Sequence, residues 1–340
     1  FVQQMVQGFQ TRGAEHRSLA GTNKYLDTMD QALADLMGKK IPEASAALVA
    51  QVRMQILDAM LQNEAENIVP RMQQLAAALA KSEHAPLRQM ATDYAALVEI
   101  RTAATMSPED RAKVIEKIAA QLRGPLLSRQ AVGHAQTLGE ELEFAELYAE
   151  AATAYNAFAK AIESRQEPQL AELVEMMQSS ARRVGLMGNE IEIRGTTIDG
   201  KPFNIADWKG KVVLVDFWAT WCGPCIGELP NVKQNYALYH DKGFEVIGIS
   251  LDDNPEELTA FLEREQIKWP TLFPAKEEAR GWNNPLARYY GVTGIPAVFL
   301  VNQEGKVISL DARGEDLGLL LGKLLGPVEG GSAGSTPPAP

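Results

Sequence analysis

The feature that most constrains the fold is an apolar, β-branched run that leads into a pair of cysteines. Residues 211–217 (KVVLVDF) are typical of a strand buried on both faces. The motif Cys-Gly-Pro-Cys follows at 222–225 and opens a stretch with helical character. A proline inside this motif suits the first turn of a helix, where its missing N–H costs nothing. The sequence therefore predicts an α/β arrangement around the cysteines.

Other elements of the same kind surround this run. Residues 190–194 (EIEIR) alternate polar and apolar, which predicts a strand, and Asp199-Gly200 is a hairpin turn signal. Further elements are predicted as helices at 222–239, 254–266 and 315–325 and strands at 244–251, 297–302 and 306–310. Strands alternating with helices, followed by a hairpin and a helix, predict a central mixed sheet flanked by helices.

The first half of the chain has a different pattern. Residues 1–185 are rich in Ala, Met, Gln and Leu, and apolar residues recur at helical spacing from Phe144 to Ile162. Ser107-Pro108 predicts a helix start, and Pro42 and Pro70 mark further starts or breaks. We expect an all-helical domain over 1–185, either a bundle or an irregular helical array. An α/β domain over 186–327 and a disordered Gly/Ser/Pro tail over 328–340 complete the predicted organisation.

Composition excludes several classes of function. The net charge is −11 and neither half is basic, so the chain lacks the electrostatic footprint of a nucleic-acid-binding protein. The sequence contains no apolar run of the ~20 residues that a membrane-spanning helix needs. Because the chain begins with Phe1, a leader could have been removed, and the N-terminus does not report localisation.

The two cysteines are the only ones in 340 residues. They could form part of a zinc site, a structural disulfide or a reversible redox pair. A zinc site needs four ligands, but there is no second cysteine pair and the four histidines are scattered. A purely structural disulfide gains stability by closing a long loop, whereas this one closes almost none. A reversible redox pair remains the favoured interpretation, and no metal is expected.

Redox chemistry explains the position of the pair. A cysteine at a helix start lies where backbone N–H groups and the helix dipole favour negative charge. We therefore expect a lowered pKa for Cys222, which would attack a disulfide as a thiolate. Cys225, one helical turn further on, would resolve the resulting mixed disulfide.

The residues around the cysteine pair resemble those of a known family. Residues 215–225 (VDFWATWCGPC) closely resemble the thioredoxin active-site region, and the stretch from about 188 to 326 is similar to extracytoplasmic thioredoxins of the TlpA/ResA type. Supporting matches are DGKPF at 199–203, CIGELP at 225–230, YGVTGIP at 290–296 and VNQEGK at 301–306. The resemblance covers about two fifths of the chain and implies a thioredoxin-like fold. The helical half matches no family that can be named, although bacterial proteins of this type with helical N-terminal extensions exist.

The resemblance also implies roles for residues around the cysteines. Pro296 matches the cis-proline that faces the pair, and Ile295 would offer its backbone to an extended substrate peptide. Trp221, Gly223 and Pro224 would contribute to the surface that meets the substrate.

Four further residues have family counterparts or flank the pair. Asp216 matches the buried thioredoxin aspartate that moves a proton to and from the resolving cysteine, and burial would raise its pKa. Glu228 matches the glutamate that TlpA/ResA-type proteins carry three residues after the second cysteine. Trp218 is expected to shield the site. Pro230 matches the kink in the thioredoxin helix, although a proline inside a helix would locally break it.

The implied activity is thiol–disulfide exchange with protein substrates, without a cofactor other than the redox-active disulfide Cys222–Cys225. The Gly-Pro dipeptide and Asp216 are those of thioredoxin, which favours a general reductant over a specialised role in cytochrome c maturation. We expect a bacterial periplasmic or otherwise extracytoplasmic location, protein disulfide substrates and an upstream thiol electron donor.

Two alternatives stay open at this level. A thiol peroxidase shares the fold, but its reactive cysteine needs Thr or Ser three residues before it and Pro seven before it. Those positions hold Ala219 and Val215. Alternatively, the helical half could be the main functional part, a binding or oligomerisation module that carries an accessory redox domain. Under the favoured interpretation we expect the helical half to recruit a partner or a second copy of the chain.

Overall fold

The structure, a computed structural model, describes residues 18–39 and 41–327. The predicted disordered tail at 328–340 lies outside these residues. The chain divides into two compact units, formed by the described parts of residues 1–118 with 128–141 and of residues 119–127 with 142–340. No helix among the described residues is long and apolar enough to cross a membrane.

The first unit is built from helices packed around an apolar core. Its helices, together with two that continue into the second unit, are α1 (Leu19–Met37), α2 (Glu43–Gln62), α3 (Ile68–Ala80), α4 (Ala85–Thr102), α5 (Pro108–Arg123) and α6 (Arg129–Phe144). The predicted start of α5 is correct, since the Ser107 hydroxyl accepts a hydrogen bond from the N–H of Asp110 at 3.2 Å. Helix α2 begins directly after Pro42, and Pro70 lies in the first turn of α3. Fully buried residues such as Leu33, Leu57 and Met72 form the core.

The first helices that lie wholly in the second unit are α7 (Tyr148–Glu163) and α8 (Ala171–Val184), which pack against each other. The predicted apolar stripe is correct for α7, which buries Tyr155 and Phe158, but it is wrong for Phe144, which is 87% exposed. Helix α6 ends at Phe144, and Glu146 adopts a left-handed backbone with φ of 58°. This turn breaks the helical spacing, so Phe144 does not share a face with the residues of α7.

A five-stranded mixed sheet forms the centre of this unit, in the order β5-β4-β3-β6-β7. The strands are β3 (Val212–Trp218), β4 (Phe244–Ser250), β5 (Thr271–Leu272), β6 (Ala297–Val301) and β7 (Val307–Ser309). The helices that accompany them are α9 (Gly223–Tyr239), α10 (Pro255–Arg264), α11 (Pro285–Tyr289) and α12 (Gly314–Leu325). Strands β3, β4 and β5 are parallel, whereas β6 is antiparallel to β3 and β7 is antiparallel to β6. The predicted mixed sheet is therefore confirmed.

Two local predictions in this unit differ from the structure. The predicted strand at 190–194 is displaced, because the hairpin strands are β1 (Arg194–Thr196) and β2 (Pro202–Asn204). The alternation within 190–194 instead reflects burial, since Ile191 and Ile193 point into the core of the sheet. The hairpin turn at Asp199-Gly200 lies between β1 and β2, as expected. Strand β5 and helix α11 were not predicted, because both are too short to show a period.

The domain boundary predicted at residue 186 stays a prediction. The compact unit that holds the sheet also includes residues before 186, among them helices α7 and α8. Helix α8 packs on the last residue of α11 and on the turn that follows it. Arg182 Nε donates to the backbone oxygen of Tyr289 at 2.8 Å. Gly291 has a φ of 60°, and a Cβ added there would lie 2.8 Å from the backbone carbon of Ser179. This close approach explains why α8 belongs to the same unit as the sheet.

Candidate active site

The cysteine pair lies where β3 leads into α9. Cys222 and Cys225 form a disulfide, with their Cα atoms 5.3 Å apart. Cys222 is the N-cap residue of α9, and its sulfur accepts a hydrogen bond from the N–H of Cys225 at 3.2 Å. The first sulfur therefore occupies the helix position at which free backbone N–H groups favour a negative charge.

The loop before β6 closes the other side of the pair. The Ile295–Pro296 peptide bond is cis, as the family resemblance implies. The carbonyl oxygen of Ile295 lies 3.6 Å from the Cys222 sulfur. The structure thus brings together residues 73 positions apart in the chain, with the Ile295 backbone beside the sulfur that would form a mixed disulfide.

The other residues predicted near the pair divide into exposed and buried groups. Gly223 and Pro224 are exposed at the start of α9, and Trp221 is 54% exposed just before it. Trp218 is buried at the end of β3. Pro230 lies inside α9, which continues through it to Tyr239. The helix is therefore not broken at Pro230, and the kink that the resemblance implies stays a prediction.

A small cavity of about 10 Å³, roughly the space of one water molecule, lies behind the disulfide. Both predicted carboxylates border it, together with the second cysteine and the cis-proline. The residues that line it are Asp216, Trp218, Cys225, Ile226, Glu228, Leu229, Val232, Phe261, Ile267, Trp269 and Pro296. The geometry therefore gathers the two acids at the inner cysteine, as proton transfer to or from its sulfur would require.

Asp216 has a strongly perturbed acidity. It lies in the middle strand β3, half-buried among apolar neighbours. Desolvation, and secondarily the charge of Glu228, raises the pKa of Asp216 to about 7. A carboxyl group with a pKa near neutrality can both donate and accept a proton at physiological pH, which is the property of a general acid–base group.

Glu228 is anchored by polar contacts on the side of α12. Its Oε1 accepts hydrogen bonds from Asn231 Nδ2 at 2.6 Å and from the backbone N–H of Gly314 at 2.9 Å. Gly314 is the first residue of α12, so the carboxylate lies at the positive end of that helix. Asn231 Nδ2 also donates to the Gly314 carbonyl oxygen at 2.9 Å. Sequence reasoning missed this arrangement because the partners lie 86 residues apart.

A second buried acid, Asp252, holds the loop that precedes Cys222. Its carboxylate accepts hydrogen bonds from the Thr220 N–H at 3.1 Å, from the Thr220 hydroxyl and from the Ser250 hydroxyl at 2.8 Å. Asp252 is 2% exposed. Sequence reasoning missed it, although one signal was present: it follows a buried strand whose carboxyl end lies beside that of β3.

No cluster of metal-ligating side chains accompanies the cysteine pair among the residues that the structure describes. Within residues 18–39 and 41–327, no group of three or more His, Cys, Asp or Glu side chains is arranged to hold a metal ion.

Comparison with known proteins identifies the region that holds the cysteine pair. The Redoxin family model matches residues 188–317, from before β1 to the start of α12. This match, together with the mixed sheet, confirms the predicted thioredoxin-like fold and the TlpA/ResA-like resemblance.

The chain is also similar to individual bacterial proteins. It is 33% identical over 120 residues to the thiol-disulfide oxidoreductase ResA of Bacillus thuringiensis subsp. konkukian, a match covering 35% of this chain and 65% of that protein. ResA of Bacillus subtilis is 28% identical over 112 residues, which cover 33% of this chain and 59% of that protein.

Among solved structures, the thioredoxin domain of a thiol-disulfide oxidoreductase from Bacteroides vulgatus is 31% identical. That match covers 41% of this chain and 97% of that domain, with a TM-score of 0.37. The chain spans less than two thirds of the length of these ResA proteins, and each match covers about a third of this chain.

Proposed function

We propose that this chain is a thiol–disulfide oxidoreductase that reduces disulfides in protein substrates. The observation that carries the proposal is the position of the disulfide, with Cys222 at the N-terminus of α9 and its sulfur beside the Ile295 carbonyl. The names of the ResA relatives support the same activity.

The proposed reaction has three steps. An upstream thiol donor first reduces the disulfide with two electrons. The Cys222 thiolate then attacks one sulfur of the substrate disulfide and releases the other sulfur as a thiolate. Cys225 next attacks the Cys222 sulfur in the mixed disulfide, which re-forms the internal disulfide and frees the first substrate thiol. Two electrons have then passed to the substrate.

Asp216 is the proposed proton carrier for the attack by Cys225. Cys225 must lose its proton to attack, and Asp216 lines the same cavity with a pKa raised to about 7. Glu228 lines that cavity too, but its carboxylate is engaged by Asn231 and Gly314. We therefore assign proton transfer to Asp216 and an electrostatic influence on Asp216 to Glu228.

The test compares single cysteine variants of the full chain after chemical reduction. Cys222→Ser should abolish release of thiols from a protein disulfide such as insulin. Cys225→Ser should instead form a persistent mixed disulfide, visible as a mass increase that a reductant reverses. Persistent adducts on Cys222→Ser, or full activity of the variant that carries both Cys222→Ser and Cys225→Ser, would contradict the assignment of nucleophile and resolver.

A peroxide assay separates the alternative activity. The reduced wild-type chain should oxidise far more slowly with hydrogen peroxide than with a protein disulfide, and rapid catalytic consumption of peroxide would favour the peroxidase alternative.

We further propose that the protein works outside the cytoplasm of a bacterium. Support comes from the TlpA/ResA-like resemblance and from the absence of cysteines other than the pair. Release of the natural full-length protein by osmotic shock of its host would support this location, and its recovery only with cytoplasmic markers would contradict it.

A further inference from the structure

Two exposed tryptophans lie together beside the cysteine pair. Trp221 is 54% exposed and Trp282 is 47% exposed, and their ring centroids are 6.3 Å apart with a tilted arrangement. Trp218 and Trp269 are buried, and Trp208 is half-buried, so the two most exposed of the five tryptophans adjoin each other. Exposed aromatic surface is costly in water and often marks a binding site. Trp221 and Trp282 are called the indole pair below.

The turn that carries Trp282 is tightly held. Arg280 donates hydrogen bonds to the backbone oxygens of Asp253 at 3.1 Å, of Pro274 at 3.3 Å and of Ala275 at 3.2 Å. Its guanidinium also lies 5.0 Å from the centroid of the Phe273 ring. The backbone next to Trp282 is therefore fixed to three separate points.

The backbone at residue 281 is also held in place. Gly281 is buried with a φ of 57°, and a Cβ there would lie 2.7 Å from Asp253 Oδ1. Asn284, three residues further on, is 2% exposed, and its side chain donates to the Ser250 carbonyl at 3.2 Å. Because the segment is anchored on both sides of Trp282, the fold itself holds this indole at the surface.

We propose that the indole pair receives an aromatic or large aliphatic side chain of the substrate, from a residue next to the cysteine that Cys222 attacks. The inference rests on the proposed function and names its substrate preference. Trp221 precedes Cys222 directly, so any substrate joined to Cys222 through a mixed disulfide places its neighbouring residues beside this indole. The Ile295 backbone lies on the same sulfur and suits an extended segment.

The kind of substrate side chain follows from the chemistry of the two indoles. Two indoles offer apolar faces and ring edges, and an aromatic side chain packed against them gains more than its buried area alone. Trp282 is then a specificity-determining residue, since the cysteines themselves carry out thiol–disulfide exchange.

The experiment uses the reduced full chain and three disulfides. Two short acetylated peptides that differ only in Phe or Gly before the cysteine are each oxidised to the symmetric disulfide, and hydroxyethyl disulfide serves as the third. The readout is the ratio of second-order rate constants for the Phe and Gly peptides. Because it is a ratio, any general loss of folding or reactivity in a variant cancels.

Wild type should prefer the Phe peptide by about 3- to 10-fold, the range expected for one aromatic contact. Trp282→Ala should bring the ratio toward one, and Trp282→Phe should keep most of it. Phe144→Ala removes an exposed aromatic ring in α6, outside the residues that form the site, and should leave the ratio at the wild-type value.

A ratio near one in wild type, with normal reduction of hydroxyethyl disulfide, would overturn the substrate preference and leave the proposed function standing. An unchanged preference in Trp282→Ala would overturn the role of Trp282. No reaction of wild type with any of the three would overturn the proposed function and this inference together. A wild-type dimer that Trp282→Ala converts to a monomer would assign the surface to a second copy of the chain.

Discussion

Asp216 and Glu228 line one water-sized cavity at the inner cysteine, and the charge of Glu228 adds to burial in raising the pKa of Asp216 to about 7. The two acids differ in their partners. Glu228 is engaged by Asn231 and by the N-terminus of α12, whereas desolvation dominates at Asp216. Glu228 is therefore anchored by hydrogen bonds, while Asp216 has a pKa near neutral pH, as proton transfer at the inner cysteine requires.

The first prediction concerns stability against pH. An unfolded aspartate has a pKa of about 3.9, so between pH 4 and 7 the folded chain keeps a proton that the unfolded chain loses. Asp216 therefore lowers the free energy of unfolding progressively as pH rises over this window, and its effect is constant above pH 7. Asp216→Asn should become more stable than wild type by roughly 2–4 kcal/mol at pH 8, with little of this gain at pH 4.

Urea unfolding of the oxidised forms at several pH values measures this effect. Asp207→Asn is a matched control, because Asp207 is an exposed carboxylate, and its stability curve should run parallel to that of wild type. Parallel curves for wild type and Asp216→Asn between pH 4 and 8 would contradict the assignment.

The second prediction separates the roles of the two acids. Glu228→Gln removes a negative charge that raises the pKa of Asp216, so that pKa should fall. The change is measured as a shift of the Asp216 carboxyl carbon titration by nuclear magnetic resonance. Glu263→Gln makes the same chemical change at an exposed position of α10 and should not shift the curve. A Glu228→Gln titration that coincides with wild type would remove Glu228 from the proposed electrostatic role.

The third prediction concerns the loop before the nucleophile. Asp252→Ala leaves the Thr220 N–H and hydroxyl and the Ser250 hydroxyl without their acceptor in a buried place. An unsatisfied buried donor costs ~1–3 kcal/mol, so the free energy of unfolding should fall by about 3 kcal/mol in total. The reaction of Cys222 with hydroxyethyl disulfide should also slow, because Thr220 fixes the approach to α9.

Asp253→Ala, the change at the adjacent exposed aspartate, is the control for Asp252→Ala and should cost less than about 0.5 kcal/mol. Equal effects of the two substitutions would show that the buried network does not hold the loop.

Local patterns were sufficient to predict the elements that carry the cysteines. The β-branched run of β3 and the proline at the start of α9 each depend on neighbouring residues, and the structure has both elements within one residue of the predicted bounds. The cysteine pair is itself local, so its disulfide could be anticipated from spacing. The family resemblance supplied Pro296, whose cis peptide bond no local rule predicts.

The rest of the site depends on contacts between distant parts of the chain. Asp252 meets Thr220 only because β3 and β4 are parallel and end side by side, with Trp218 paired to Ser250. Glu228 meets Gly314 only after α12 has packed on α9. Composition and periodicity carry no information about such pairings, so they predict neither contact. The proposed partner-recruiting role of residues 1–185 likewise stays a prediction from sequence.

The last prediction concerns Gly248, in the middle of β4, where a side chain would meet two buried polar atoms. A Cβ there would lie 2.9 Å from Trp218 Nε1 and 3.0 Å from Thr271 Oγ1. Neither atom has a hydrogen-bond partner among the described residues, and both side chains are almost fully buried. Since Trp218 also lines the cavity of Asp216, displacement of its indole would disturb the acid as well as the packing.

Gly248→Ala should therefore lower the free energy of unfolding by about 1–3 kcal/mol, the usual cost of overpacking, and should shift the pH midpoint of the Asp216 titration. Gly227→Ala is the matched control, since Gly227 lies in α9 with no atom within 4 Å of an added Cβ. In a helix interior this change should stabilise the chain by roughly 0.5–1 kcal/mol. Calorimetry of both variants tests the pair, and a Gly248→Ala variant as stable as wild type would mean that the indole has room to move.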